Sequence, residues 1–376
     1  MSQKNNLKEI AFLFFKLGAI AFGGPASHIA MMEDEVVTKR KWMTQEHFLD
    51  LIGATNLIPG PNSTEMTMHC GHERGGWKGM FVAGASFIFP AVFITSIFAW
   101  LYVEYGELPN VKPFIYGIQA AVIAIIVMAA YKLGKKAVKN YELGALGVLA
   151  IAGCLIGIHE IIVLFGVGLI GLLLYYTKRN LGSVKTWLPL LLLQSSEPIN
   201  VSNIKVLLIF LKVGALLYGS GYVLFAFLDA ELVSTGYLSK KSLIDAVAVG
   251  QMTPGPVLST ATFIGWQLQG FWGAILATIG IFLPSFIFVL ILNPLIPKIR
   301  KSVVISAFLD AVNVAAVGLI IAVCFEMGYA TLLDWRTVII TLLAFITVFI
   351  FQKLNSAFIV IGGSLLGYLL TFIEFS

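Results

Sequence analysis

Charge is what this chain has least of. Of its 376 residues, 25 are Lys or Arg and 20 are Asp or Glu, so charged side chains make up 12%, against about 25% in an ordinary soluble domain. So few charges cannot coat the two or three soluble domains that the length alone would suggest. Its three cysteines, Cys70, Cys154 and Cys324, make no disulfide framework. No nucleophile–base triad, phosphate-binding glycine loop or Walker motif is present. That argues against a soluble-type hydrolase, and against ATP-driven transport within this chain. What is abundant is apolar: 58% of residues are hydrophobic, with 28 Phe, 12 Tyr and 7 Trp, and the mean hydropathy is +0.90. This aromatic content excludes a disordered or collagen-like chain. The class that remains is an all-α integral membrane protein, with the lipid bilayer as its first partner.

The net charge of +5 comes from short basic clusters between apolar runs, as orientation signals do, so no nucleic-acid partner is expected. Lys4 and Lys8 before the first apolar run resemble a signal peptide. Lys16, the Gly23-Gly24-Pro25 break and the recurrence of the run in the second half argue against cleavage.

That recurrence organises the chain. Residues 12–37 and 208–233 align at an offset of 196, matching Phe14 with Phe210, Lys16 with Lys212, Gly18 with Gly214, Gly23 with Gly219 and Glu35 with Glu231. Asp50 then aligns with Asp245, and Asn56-Leu57-Ile58-Pro59-Gly60-Pro61 with Gln251-Met252-Thr253-Pro254-Gly255-Pro256. Gly71, Gly76, Gly79 and Pro90 answer Gly265, Gly270, Gly273 and Pro284. The expected organisation is a first transmembrane repeat over 1–176, a cytoplasmic linker over 177–203, and a second repeat over 204–376.

Each half offers six apolar segments: 10–32, 45–69, 79–103, 113–131, 142–158 and 160–176, then 206–228, 242–264, 271–297, 303–325, 337–352 and 356–373. About 20 apolar residues span a bilayer. The second segment of each half holds a Pro-Gly-Pro that no continuous helix tolerates and reads as re-entrant or broken, a form allowed where protein or a cavity surrounds it. Each half is therefore expected to carry about five transmembrane helices plus that broken segment. Glu104 and Glu107 follow the third segment, and Lys132, Lys135, Lys136 and Lys139 the fourth. In the second half the pattern swaps, with Lys298, Arg300 and Lys301 after the third, and Glu326 and Asp334 after the fourth. The positive-inside rule makes the repeats inverted. Lys4 and Lys8, and Lys240 and Lys241, resist that reading by falling outside.

Inverted repeats with paired broken segments are a plan of secondary transporters, with the site near the midplane and positive half-helix ends aimed at anions. Candidate anion contacts are Asn56, Pro59, Gly60, Pro61, Asn62 and Ser63, with Gln251, Pro254, Gly255, Pro256, Ser259 and Thr260. Prolines that start a helix and hydroxyls that cap it would leave the same pattern. Lys16 and Lys212 sit about two turns inside their segments, where a lysine attracts an anion or snorkels to the interface. Gly23, Gly24, Gly219 and Gly221 are candidates for an anion nest or for helix packing. Asp50, Asp245 and Asp310 are coupling candidates; for Asp50 and Asp245 a salt bridge to a nearby loop lysine or arginine is the favoured alternative, and Asp310 has Tyr116 as its counterpart in the first half. The His69-Cys70-Gly71-His72 cluster has no counterpart in the second half and is not assigned a metal; no cofactor is expected.

Phe22–Pro25 (FGGP), the acidic stretch Met32–Val37, Asn56–Asn62 (NLIPGPN), the Gly79…Phe89-Pro90 stretch and the repeat Gly250–Trp266 together resemble the chromate ion transporter (CHR) family, over essentially the whole chain. The resemblance implies a non-enzymatic secondary transporter in the bacterial inner membrane, in the long form with two homologous halves. Its implied cargo is an inorganic oxyanion, chromate and with it sulfate, exported on the proton-motive force or by exchange. Shorter relatives work as antiparallel pairs, and a homodimer is left open. Asn56 departs from the family pattern, which carries Gln before Pro-Gly-Pro as Gln251 does, and Ser220 stands where the first half has Gly24. Cation or metal transport, and a membrane enzyme or scaffold, are the competing readings.

Overall fold

The computed structural model describes residues 3–22, 24–55, 58–178, 201–218, 221–292, 303–351 and 354–372. Among them the chain is helical throughout, with no strand. The linker proper, Gly23, Asn56 and Gly219 lie outside the described residues.

The first half opens with α1 (Gln3–Ile20) and, after a break, α2 (Pro25–Glu33), whose helical path continues to Lys39. Then come α3 (Gln45–Thr55), α4 (Asn62–Tyr105), α5 (Lys112–Ala137), α6 (Tyr141–Leu155) and α7 (Glu160–Lys178). The second half answers with α8 (Asn203–Leu216), a turn at Gly221–Val223 leading into α9 (Leu224–Leu228), α10 (Lys240–Met252) and α11 (Thr260–Leu292). It ends in α12 (Val303–Thr331), α13 (Trp335–Ile350) and α14 (Ser356–Leu370). Helix starts near the ends of the bundle carry polar caps: Asn140, Ser202, Ser239, Asp334 and Asn355 each accept a hydrogen bond from a first-turn N–H, satisfying donors that lipid could not. Among the described residues five helical stretches are long and apolar enough to cross a membrane, and α6, α13 and α14 are shorter apolar helices.

The first segment of each half is not the single span that the sequence suggested. The helix breaks and folds back: Lys16 pairs with Glu35 at 3.4 Å and Arg40 with Glu9 at 3.9 Å, an antiparallel arrangement. The second half repeats it, with Lys212 on Glu231 at 2.6 Å and Lys205 on the Tyr237 hydroxyl. The segment holding the triplet folds back too, since His47 at the start of α3 meets Glu73, just before the Gly75-Gly76 turn of α4, at 3.2 Å. α4 then turns sharply at Gly75-Gly76, as α11 does at Gln269-Gly270. Gly76 and Gly270 take φ of +60° and +58°, a left-handed conformation that glycine adopts without a Cβ penalty. The helices on either side of each turn pack closely: a Cβ on Gly71 would stand 2.4 Å from the Gly79 carbonyl, and one on Gly265 2.3 Å from that of Gly273. Small residues allow this backbone approach in a membrane, where no hydrophobic effect drives helices together.

Between the halves, Lys139 after α5 pairs with Asp310 in the early turns of α12 at 2.7 Å. At the opposite end, Glu107 lies 3.9 Å from Lys241, His159 3.8 Å from Glu231, and Phe114 stacks on Tyr368. Lys112 donates a hydrogen bond to Glu107 and holds its carboxyl below the usual range.

Candidate functional site

The two Pro-Gly-Pro triplets are the non-helical joints between α3 and α4 and between α10 and α11, and their contacts are reciprocal. The Gly60 N–H donates to the Leu217 carbonyl at 2.6 Å, and the Gly255 N–H to the Ala21 carbonyl at 2.7 Å. Ala21 and Leu217 are equivalent by the offset of 196. Each triplet therefore supplies a donor to a carbonyl left open where the first helix of the other half ends. Both glycines have positive φ, +143° and +88°. Each is also closely overlaid: a Cβ on Gly255 would sit 2.8 Å from Ala91 Cβ, and one on Gly60 2.1 Å from Glu65 Oε1 and 2.4 Å from Ser285 Oγ.

Four helix starts surround these joints. α2 begins at Pro25 behind an extended Gly24, and α4 begins at Asn62 behind Pro61. Gly221 opens the turn into α9, and Val257, behind Pro256, opens the turn into α11. No side chain caps α2, α4 or the Val257 turn. They meet at one small cleft lined by Pro25, His28, Pro61, Ser63, Gly221, Tyr222, Pro256, Val257 and Leu258. Each helix runs away from the cleft, so first-turn N–H groups and the positive ends of the backbone dipoles face it. This is the geometry that holds an anion without a buried cation.

Of the sequence candidates, Pro61, Ser63, Gly221 and Pro256 line the cleft, with Pro25 beside Gly24. Pro59, Gly60, Pro254 and Gly255 are buried in the joints behind it, and Asn62 is half-buried at the start of α4. Ser259 and Thr260 are buried with their hydroxyls engaged, Ser259 with Thr95 of the other half at 3.2 Å and Thr260 on the Val257 carbonyl at 2.8 Å. Gln251 is buried, and its carbonyl accepts from Ser356 at 3.5 Å. Lys16 and Lys212 do not line the cleft. Each is about half exposed and charge-compensated by a glutamate of its own half. Asp50 is exposed on α3, and Asp310 is held by Lys139. Asp245 is buried and accepts from the Tyr102 hydroxyl at 2.5 Å and from the Gln119 amide, a polar tie between halves. Among the described residues no group of three or more His, Cys, Asp or Glu side chains converges as a metal site would.

Three residues at or beside the cleft escaped the sequence reading: His28, Tyr222 and Glu65. His28 is 1% exposed and meets Phe87 edge-to-face. Glu65 is fully buried. A carboxylate in the middle of an apolar segment is itself a signal, but it lay unmarked beside the hydroxyls of Ser63 and Thr64.

The family model described as "Chromate transporter" matches residues 8–172 and again 204–368. A "Probable chromate transport protein" of Synechococcus elongatus is 31% identical over 96% of this chain and 95% of its own length. The "Chromate transport protein" of Cupriavidus metallidurans is 30% identical, covering 96% and 92%, and that of Pseudomonas aeruginosa 29%, covering 95% and 90%. No solved structure shows a significant match.

Proposed function

Since the chain belongs to the chromate transporter family, we propose that it is a multi-pass membrane transporter that carries a tetrahedral dianion, chromate or the similarly shaped sulfate, through the cleft between its halves. One observation carries this reading: four helix starts, two from each half, converge on one cleft at the Pro-Gly-Pro joints. Unspent N–H donors offer charge stabilisation to an oxyanion while leaving a cation unpaired.

The supporting topology is a pair of inverted halves. Contacts join the end of α5 to the start of α12, and the starts of α5 and α7 to the ends of the folded-back segment, of α12 and of α14. Equivalent ends then lie on opposite faces. Each half makes four crossings, with two helix pairs dipping in from one side. Because the first segment folds back, the N-terminus shares a face with Arg40, Arg74, Lys135 and Lys139, the basic face that stays cytoplasmic. Lys4 and Lys8 cease to be exceptions. Lys240 and Lys241 remain on the acidic outer face, where Lys240 pairs with Asp229 and Glu326 and Lys241 with Glu107. In this reading Lys178 lies on the basic face and Val201 on the acidic one. Transport alternates access as the halves rock about the reciprocal glycine bonds. An inside-negative potential drives a dianion outward, so export from the cell across its inner membrane is the direction we assign.

Flux of labelled sulfate and of chromate into and out of proteoliposomes tests the reading. Saturable flux of either anion, competed by the other, is expected. No flux of either, at verified incorporation, would sink it.

A further inference from the structure

Beside the cleft lies a fully buried carboxyl group, that of Glu65. Glu65 lies in the opening turns of α4, is 0% exposed, and neither oxygen has a hydrogen-bond partner of ordinary geometry. It folds over the joint itself, filling the space where a Cβ on Gly60 would stand. From α11 of the other half the Ser285 hydroxyl faces it, and from the end of α8 the Tyr218 phenol. On its own helix, Thr64 and His69 are its buried polar neighbours. Among the described residues no Lys, Arg or His forms an ion pair with it. The equivalent position in the second half is Thr260, and that of Ser285 is Ala91. The Glu65–Ser285 pair therefore exists at only one of two otherwise matching joints. Pro61 and Ser63, either side of Asn62 and within four residues of Glu65, line the cleft.

A bare carboxylate here would be an unpaired buried charge, which is strongly disfavoured, and a dianion in the cleft would add like-charge repulsion. We propose that Glu65 is a proton-binding site linked to the anion site: it is a neutral carboxylic acid while the dianion is bound and ionises to water once the anion has left and the joint opens. One proton is then taken from water as each anion binds and returned as it leaves, so the two travel in the same direction. The proposal rests on the transport reading above and adds its coupling ion and the sign of the coupling. The anion-bound protein has the higher proton affinity. Anion affinity is therefore full below the free-state pKa of the group and falls as pH rises through and above it, by up to about tenfold per pH unit for one linked proton.

The test is equilibrium binding of labelled sulfate, which does not itself titrate in this range, to the purified full chain between about pH 6 and pH 8. Wild type is expected to lose affinity with rising pH, and Glu65→Gln, which keeps shape and removes the titration, to bind with little pH dependence. A second measurement needs no variant: adding sulfate to weakly buffered wild-type protein is expected to take up about one proton per anion bound. The same pH slope in Glu65→Gln as in wild type, or sulfate binding without proton uptake, overturns the proposal and leaves the transport reading standing. Absence of any binding or flux in wild type overturns the transport reading instead.

Discussion

Replacing Gly255 by Ala probes the joint between the halves most sharply. The residue has φ of +88°, and a left-handed backbone costs an L-residue about 1–2 kcal/mol. Its new methyl would fall 2.8 Å from Ala91 Cβ and 3.2 Å from the Gly18 carbonyl oxygen, both on helices of the other half. Neither contact is the far end of a flexible side chain, so the helices must part, at about 1–3 kcal/mol. The total is about 2–5 kcal/mol, delivered at the place where the Gly255 N–H meets the Ala21 carbonyl at 2.7 Å. Gly270→Ala is the control. Its φ is +58°, and nothing lies within 4 Å of the added Cβ, so it bears only the backbone cost. Thermal unfolding of both variants in one detergent, with sulfate flux measured alongside, is the assay. Gly255→Ala should lower the midpoint by about 1.5 to 4 times as much as Gly270→Ala, and should lose flux while Gly270→Ala retains it. Equal shifts with equal flux would refute the reciprocal joint.

Other consequences follow from charge and burial. Lys212→Gln alone strands the charge of Glu231, with His159 3.8 Å away, and should depress anion flux; the double variant Lys212→Gln/Glu231→Gln should restore it to within about twofold, since a removed pair leaves little net field. Asp245→Ala leaves the Tyr102 hydroxyl and Gln119 amide without their buried acceptor and should cost about 1–3 kcal/mol, read as a lower unfolding midpoint. Single cysteines replacing Lys136 and Glu107 should react with an impermeant thiol reagent from opposite faces of the membrane, the first only from the cytoplasmic side.

Much of this arrangement is legible in the chain because duplication writes each feature twice. Lys16 and Lys212, each 19 residues before its glutamate, and the two triplets mark equivalent places without any structure. Pairing by offset says nothing of which half touches which, so the crosswise bonds of Gly60 with Leu217 and Gly255 with Ala21 could not be read. Apolar length also cannot tell a span from a helix pair that folds back. Residues 10–32 are long enough to cross, and the break at Gly24-Pro25 is what turns them. The lysines looked like anion ligands because their partners lie 19 residues away, beyond any local helical spacing. Glu65 lacks a repeat counterpart and, among the described residues, an ionic partner, so nothing in the duplication marks it.

In the proposed mechanism the anion sits where the helix starts meet. A structure determined with chromate, using the anomalous signal of chromium to locate it, decides this directly. A peak in the cleft between Pro61 and Pro256, within hydrogen-bond reach of the N–H groups that open α2, α4 and the turns at Gly221 and Val257, is the predicted result. A peak against Lys16 or Lys212 with the cleft empty, in protein that still transports chromate, would contradict it.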